Sequence, residues 1–242
     1  METNRALAEM IQASQKLVFL TGAGISTESG IPDFRSSGGI YANGNVEHYI
    51  SRYFYNKSPK DFWKHFKEIF QLKMLGNYEP NNGHLFIKAL EDMGKEVTVL
   101  TQNIDGLHQK AGSKHVLELH GTLRSAHCPK CKRVYNLEYT LKNDIPRCEL
   151  DDFILDTDVV LFGDAIKHFD EAINAVESCD LLIVMGSSLN VTPVNAFPEY
   201  AKRSWNTKLA IINKEETIKD RYFDVVIHEK IGKAVRNLRD FI

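Results

Sequence analysis

The 242-residue chain reads as an α/β protein: a mostly parallel sheet with helices on both faces. Three observations predict this. Short apolar runs recur at 17–20, 97–100, 116–119, 159–162, 181–185, 209–212 and 225–227, with helical stretches between them. Most of these runs are continuously apolar rather than alternating, as in strands buried on both faces. Several end in a polar or glycine-rich turn, which is where ligands bind in such sheets.

Taken in chain order, METNRALAEMIQASQK puts Leu7, Met10 and Ile11 on one face of a helix. It has neither the apolar core nor the cleavage pattern of a secretory leader, so the expected location is cytoplasmic. The run LVFL then enters Gly22-Ala23-Gly24, a turn whose backbone could approach a phosphate closely. Ser26 or Thr27 could cap a following helix. Asp33, Phe34 and Arg35 add a carboxylate, a ring and a fixed cation in one short loop. The third glycine of the dinucleotide fingerprint would fall at Thr27, so that pattern fails.

Residues 36–80 break the alternation, being rich in aromatics and patterned as short helices. The run VTVL leads into Gln102, Asn103, Ile104 and Asp105, an amide pair and a carboxylate suited to a ribose or a carboxamide. Asn103 or Asp105 could equally cap a helix. The run VLEL leads into His120 and Gly121; an imidazole at a strand end could move a proton near neutral pH, or serve only structure. Residues 121–157 show little apolar periodicity and carry a cysteine knuckle, and we take 36–80 and 121–157 as insertions forming one smaller domain. The run LLIVM leads into Gly186, Ser187 and Ser188, and LAII into Asn213, positions suited to the second half of a nucleotide. Gly22, Asn103, His120 and Ser187 should therefore line one crevice.

Composition narrows the function classes. Hydrophobic residues make up 43% and charged residues 26%, and the net charge is −2. Such a chain is not built to coat nucleic acid or an acidic membrane. No apolar stretch approaches the ~20 residues that span a bilayer. Cys128 and Cys131 form a Cys-x-x-Cys knuckle, followed by Cys148, whereas Cys179 stands apart as a small buried hydrophobe. The second knuckle is broken, with Asp151 where a cysteine is expected. Three thiolates with Asp151, Asp152 or His127 could hold zinc; otherwise the loop binds no metal.

Together, GAGIS…SGIPDFR at 22–35, TQNIDGLH at 101–108, HG at 120–121, the knuckle at 128–131, DVVLFG at 158–163, GSSL at 186–189 and IN at 212–213 resemble the sirtuins, NAD-dependent protein lysine deacylases, of bacterial type. The resemblance covers nearly the whole chain. It implies a Rossmann-like NAD-binding domain of residues 1–35, 81–120 and 158–242. Residues 36–80 and 121–157 would form a small domain, a helical module plus a zinc ribbon. NAD would be a co-substrate, with Gly22, Ala23, Gly24, Asp33, Arg35 and Gln102 along its phosphates and ribose. Asn103 and Asp105 would hold the nicotinamide end in the productive pose, with Ile104 as a wall and Phe34 over the reacting face. Gly186, Ser187, Ser188, Asn213 and Glu215 would bind the adenosine half, with Ile231 near the adenine. His120 would be the general base. Val160, Leu161 and Phe162 would line the acyl-lysine tunnel, and the peptide would add as a strand between Phe162, Gly163 and Asn190, Val191. Cys128, Cys131, Cys148 and Asp151 would hold one zinc.

Departures from the pattern are Asp151 and Thr157, the latter where proline usually stands. The Tyr-x-x-Arg pair of desuccinylating sirtuins aligns with Phe66 and Ile69, so neutral acyl groups are expected. The partners implied are acylated lysines on proteins, handled by a monomer, with no nucleic acid and no membrane. The rival readings are a mono-ADP-ribosyltransferase or NAD hydrolase, and a nucleotide-sensing module without catalysis.

Overall fold

A computed structural model describes residues 2–33, 45–74, 78–204 and 206–242. Phe34 and Arg35 lie outside the described residues. Six strands form the main sheet: β1 (Lys16–Thr21), β2 (Glu96–Thr101), β3 (Val116–Glu118), β7 (Leu181–Met185), β8 (Lys208–Ile212) and β9 (Val225–Ile227). Their spatial order is β3-β2-β1-β7-β8-β9, and every pairing is parallel. From β1 the chain winds outward through β2 and β3, then returns to β7 on the other side of β1. The carboxyl ends of β1 and β7 therefore flank the point where winding reverses, the usual ligand crevice of such sheets.

The period of two along the central strands sorts the core into two layers. Leu17 and Phe19 of β1, with Leu181, Ile183 and Met185 of β7, face α1 (Glu2–Ala13), α5 (Asn82–Asp92) and α10 (Ile231–Arg239). Val18, Leu20, Leu182 and Val184 face α8 (Phe169–Ser178) and α9 (Phe197–Ala201). Both faces are covered, as the continuous apolar runs require. No helix among the described residues is long and apolar enough to cross a membrane.

A second sheet is antiparallel, in the order β5-β4-β6, built from β4 (Gly121–His127), β5 (Val134–Asn136) and β6 (Asp156–Val159). Beside it lie α2 (Val46–Tyr49), α3 (Arg52–Lys57), α4 (Pro59–Met74) and α7 (Leu137–Lys142). One cluster joins these pieces, with Phe62, Trp63, Phe66 and Phe70 of α4 packed against Leu123, Tyr135, Leu155 and Val159. The buried Trp63 indole donates to the Leu155 carbonyl at 2.7 Å.

This sheet corrects one expectation. The sequence places the run 159–162 in the parallel sheet, yet the paired strand is Asp156–Val159, and it pairs antiparallel with β4. Val159 and Leu161 supply the apolar signal by burial in the small-sheet cluster, while backbone pairing starts at the more polar Asp156 and ends at Val159. Hydropathy records burial and not hydrogen bonding, so the two part company here.

Candidate active site

The site is built at the reversal between β1 and β7. Gly22 N donates to Met185 O at 3.2 Å and Gly24 N to Gly186 O at 2.9 Å, drawing the two strand-end loops together. A Cβ on Gly24 would lie 2.7 Å from Gly186 Cα, and one on Gly186 (φ +65°) only 2.3 Å from Ile25 N. These glycines are thus required by the loops' approach to each other, in addition to any approach of a ligand. The expected capping role of Ser26 and Thr27 is not observed. Residues Ala23–Ser29 form a 3₁₀ helix without a side-chain cap. Thr27 Oγ1 donates to Gly24 O, and Ser26 turns inward.

Behind this turn lies a buried polar network. Asn103 Nδ2 donates to Gly22 O at 3.2 Å and to Ser26 Oγ at 3.1 Å, and Ser26 Oγ donates to Asp105 Oδ2 at 2.7 Å. Asp105 Oδ1 accepts from Leu107 N at 2.9 Å, so Asp105 also tethers the start of α6 (Leu107–Lys110). His84 Nδ1 accepts from Asn81 N, which leaves its proton on Nε2, directed at Ser26 Oγ 3.5 Å away. Thr21 Oγ1 donates to Thr101 Oγ1, so His108 Nε2 must be the donor to Thr21, at 2.9 Å.

Burial pushes the His84 pKa down to about 4 and that of His108 well below the usual range, so both rings are neutral at pH 7. Burial raises the Asp105 pKa, opposed by the bonds from Leu107 N and Ser26. With both its hydrogens committed, the Asn103 amide has one orientation.

Gln102 ties the strand ends together. Its N donates to Thr21 O, its Nε2 to Ser187 Oγ at 2.9 Å, and its carbonyl accepts from His120 Nδ1 at 3.0 Å. A carbonyl can only accept, so Nδ1 carries the proton and Nε2 is the basic nitrogen of His120. His120 O in turn accepts from Val160 N at 2.8 Å. A Cβ on Gly121 (φ +74°) would lie 1.9 Å from Asp158 O. Its glycine is required by the neighbouring strand.

Val160 and buried Leu161 run beside His120, followed by exposed Phe162 and Gly163. Phe162 N donates to Ile50 O and Phe162 O accepts from Arg52 N, so both main-chain groups of Phe162 are engaged. Gly163 N–H and C=O make no hydrogen bond among the described residues. Asn190 is exposed and Val191 half-buried on the loop after Gly186, Ser187 and Ser188.

At the end of β8, Asn213 Nδ2 donates to Glu215 O at 2.7 Å, and the Glu215 side chain is exposed. Ile104 is buried and packs into the small-sheet cluster, joining the two halves. Ile231 is a core side chain, with its Cγ2 2.9 Å from where a Gly83 Cβ would be. Asp33 is half-buried, next to the undescribed stretch. His84, His108, Thr21 and Thr101 were not foreseen as parts of the site; nothing in a sequence marks a lone histidine as buried behind a crevice.

In the cysteine cluster, Asp151 rather than Asp152 or His127 lies beside the three thiols. Cys128, Cys131, Cys148 and Asp151 offer ligand atoms all within 4.8 Å of one another. Asp151 Oδ2 lies 3.8 Å from both Cys128 Sγ and Cys148 Sγ, and Cys131 Sγ lies 3.5 Å from Cys148 Sγ. A tetrahedron around zinc with thiolate bonds of ~2.3 Å has edges of about 3.5–3.8 Å, so the donor set fits. His127 instead pairs with Asp158 at 2.8 Å, and the exposed Asp152 pairs with Arg147.

Known proteins bear on this geometry. A family model described as the Sir2 family matches residues 22–193. The chain is 54% identical over 229 residues to an NAD-dependent protein deacetylase of Bacillus anthracis, covering 95% of each. It is 52% identical over 241 residues to an NAD-dependent protein deacetylase 2 of Geobacillus kaustophilus, covering 99% of this chain and 98% of that one. A solved Sir2 structure with deacetylated p53 peptide and 3′-O-acetyl-ADP-ribose matches with a TM-score of 0.89 at 33% identity, covering 97% of this chain and 96% of that one.

Proposed function

This chain belongs to the Sir2 family, and on that premise we propose that it is an NAD-dependent protein lysine deacylase releasing nicotinamide and O-acyl-ADP-ribose. The observation that carries the reading is His120, whose Nδ1–H is tied to Gln102 O beside the Asn103–Ser26–Asp105 network. NAD supplies the electrophilic ribose carbon to which the acyl oxygen of lysine adds as nicotinamide leaves. The chain's own residues do the rest. His120 Nε2 takes a proton from a ribose hydroxyl, and the Gln102 carbonyl keeps that nitrogen basic. Asn103 and Asp105, locked by Ser26 and Gly22, orient the nicotinamide end. Gln102 and Ser187 join the two halves of the crevice along the ribose and phosphates, and Asn213 and Glu215 flank the adenosine half. Gly163 receives the substrate backbone.

The division into residues 1–35, 81–120 and 158–242 against 36–80 and 121–157 is supported by two separate sheets and the separate aromatic cluster. Three free thiols with Asp151 support one structural zinc, and free thiols are what a cytoplasmic location preserves. Neutral acyl groups are preferred. Phe66 is buried and Ile69 partly buried in the aromatic cluster, and neither offers an acyl carboxylate a charge partner.

The test is mass spectrometry of acetyl-, propionyl- and succinyl-lysine peptides with and without NAD. Loss of acetyl with matching nicotinamide and O-acetyl-ADP-ribose is expected, with succinyl substrates turned over poorly. His120→Ala should lower kcat by about 10² or more. Rapid nicotinamide release without peptide would instead make the chain an NAD hydrolase.

A further inference from the structure

Arg52 opens α3 in the helical module, far in sequence from the strip that faces His120. Its guanidinium nevertheless holds that strip from two sides. Nε and Nη2 donate side-on to Asp164 Oδ1 and Oδ2 at 2.8 and 2.9 Å. Nη1 donates to both oxygens of Asp156, at 3.0 and 2.8 Å. Asp164 Oδ2 also accepts from Leu161 N at 3.0 Å, and Asp164 N donates to Leu161 O at 2.9 Å, closing a turn over 161–164.

The main chain repeats the attachment. Arg52 N donates to Phe162 O at 2.9 Å, and Ser51 bridges Phe162 in parallel. Two carboxylates and the turn they close thus converge on the Arg52 side chain, and the backbone bridge on its main chain. Arg52 is 28% exposed and its partners 16% and 22%, so these pairs are largely withdrawn from solvent. A bidentate fork of this kind fixes orientation as well as distance.

The clamped turn contains Gly163 at φ +97°, an exposed residue whose N–H and C=O make no hydrogen bond among the described residues. The other end of the strip is anchored by Val160 N on His120 O. We propose that Arg52 is a positioning residue for the acylated peptide, holding the Gly163 turn at a fixed distance from His120 so that a substrate backbone pairing there delivers its side chain to the base. This rests on the deacylase reading above and adds a residue to it. Lysine cannot replace the fork, because one ammonium cannot span two carboxylates side-on.

The experiment compares an acetyl-lysine peptide with Nα-blocked acetyl-lysine methylamide, which has no extended flanking backbone, for wild type, Arg52→Lys, Arg52→Met and Asp164→Asn. Zinc content and melting temperature establish which variants fold. For Arg52→Met the peptide KM should rise about tenfold, so that the preference for peptide over the small substrate narrows by about the same factor. Arg52→Lys should recover part of the loss, and Arg52→Met combined with Asp164→Asn should be no worse than either alone. Equal losses on both substrates, or an unchanged peptide KM in a folded variant, would overturn the proposal and leave the deacylase reading standing. A wild-type chain that turns over neither substrate would overturn that reading, and the proposal with it. An unfolded Arg52→Met shifts the decision to Asp164→Asn, which keeps the volume of the side chain and removes its charge.

Discussion

His84 and His108 lie 4.8 Å apart, edge to face, behind Ser26 and Thr21. Both are buried and neutral, which keeps cations out of the network that orients Asn103. That neutrality links stability to pH with a definite sign. With a folded pKa of about 4 for His84 against ~6.5 unfolded, the unfolded chain binds the proton first. Its contribution is therefore full above pH 6.5 and is lost as pH falls toward 4, by about 3 kcal/mol. His108 acts in the same direction, whereas Asp105, with its pKa raised by burial, acts oppositely. His84→Gln retains an acceptor for Asn81 N, as the capping box there requires. Urea unfolding at pH 7 and pH 4 should show a stability loss smaller by about 3 kcal/mol in His84→Gln than in wild type. Equal pH slopes would show that His84 does not titrate differently on folding.

Among elements, the loop after β7 and the turn between α5 and β2 show how glycines of positive φ differ in consequence. Gly186→Ala puts a methyl 2.3 Å from Ile25 N and 2.5 Å from Gly24 C, backbone atoms that cannot swing away. At Gly94 (φ +89°) a methyl meets nothing within 4 Å. Gly94→Ala should cost about 1 kcal/mol of backbone strain, and Gly186→Ala at least about 3 kcal/mol, with weakened NAD binding as the crevice widens. Parallel denaturation curves and NAD titrations check both. The glycine pattern at 22–24 was visible in the sequence, but its partner was not. Gly24 and Gly186 are distant in the chain, and only the parallel pairing of β1 with β7 brings them together. Gly121 is similar, since the Asp158 carbonyl that makes its glycine obligatory belongs to a strand whose pairing hydropathy did not reveal.

For the whole molecule, the metal cluster and the aromatic cluster share one core, since Cys128 and Cys148 pack with Trp63 and Tyr135. Tyr135 Oη donates to Cys148 Sγ at 3.3 Å, and Lys130 pairs with Asp151 Oδ1 at 3.3 Å, leaving Oδ2 for a metal. Metal binding should therefore contribute to folding of the small sheet and the helices against it. About one zinc per chain is expected by elemental analysis. Asp151→Ala should weaken zinc retention against a chelator by roughly tenfold or more, and Asp151→Cys should strengthen it. Stripping the metal should lower the melting temperature; protein that stays zinc-free with an unchanged melting temperature would remove the metal from the structural account.

Six of the seven apolar runs read from the sequence by itself are strands of the parallel sheet, whose covered faces were equally legible, because burial on both sides leaves continuous apolar runs; the seventh, 159–162, carries the same signal but belongs to the small-sheet cluster. The sequence also determined the residue types at the strand ends, Gln102, Asn103, Asp105, His120 and Ser187, since short turns after strands must lie at one edge of such a sheet. What tertiary structure decided were the partners. It chose Asp151 over Asp152 and His127, drew Ile231 into the core, engaged both main-chain groups of Phe162, and set His84 and His108 behind the crevice. It also brought Arg52 to Asp156 and Asp164 across more than a hundred residues of chain. The reason is physical. Periodicity and composition record how much of a residue is buried, while hydrogen bonds and ion pairs depend on which distant atom faces it, and that is settled only when the layers pack.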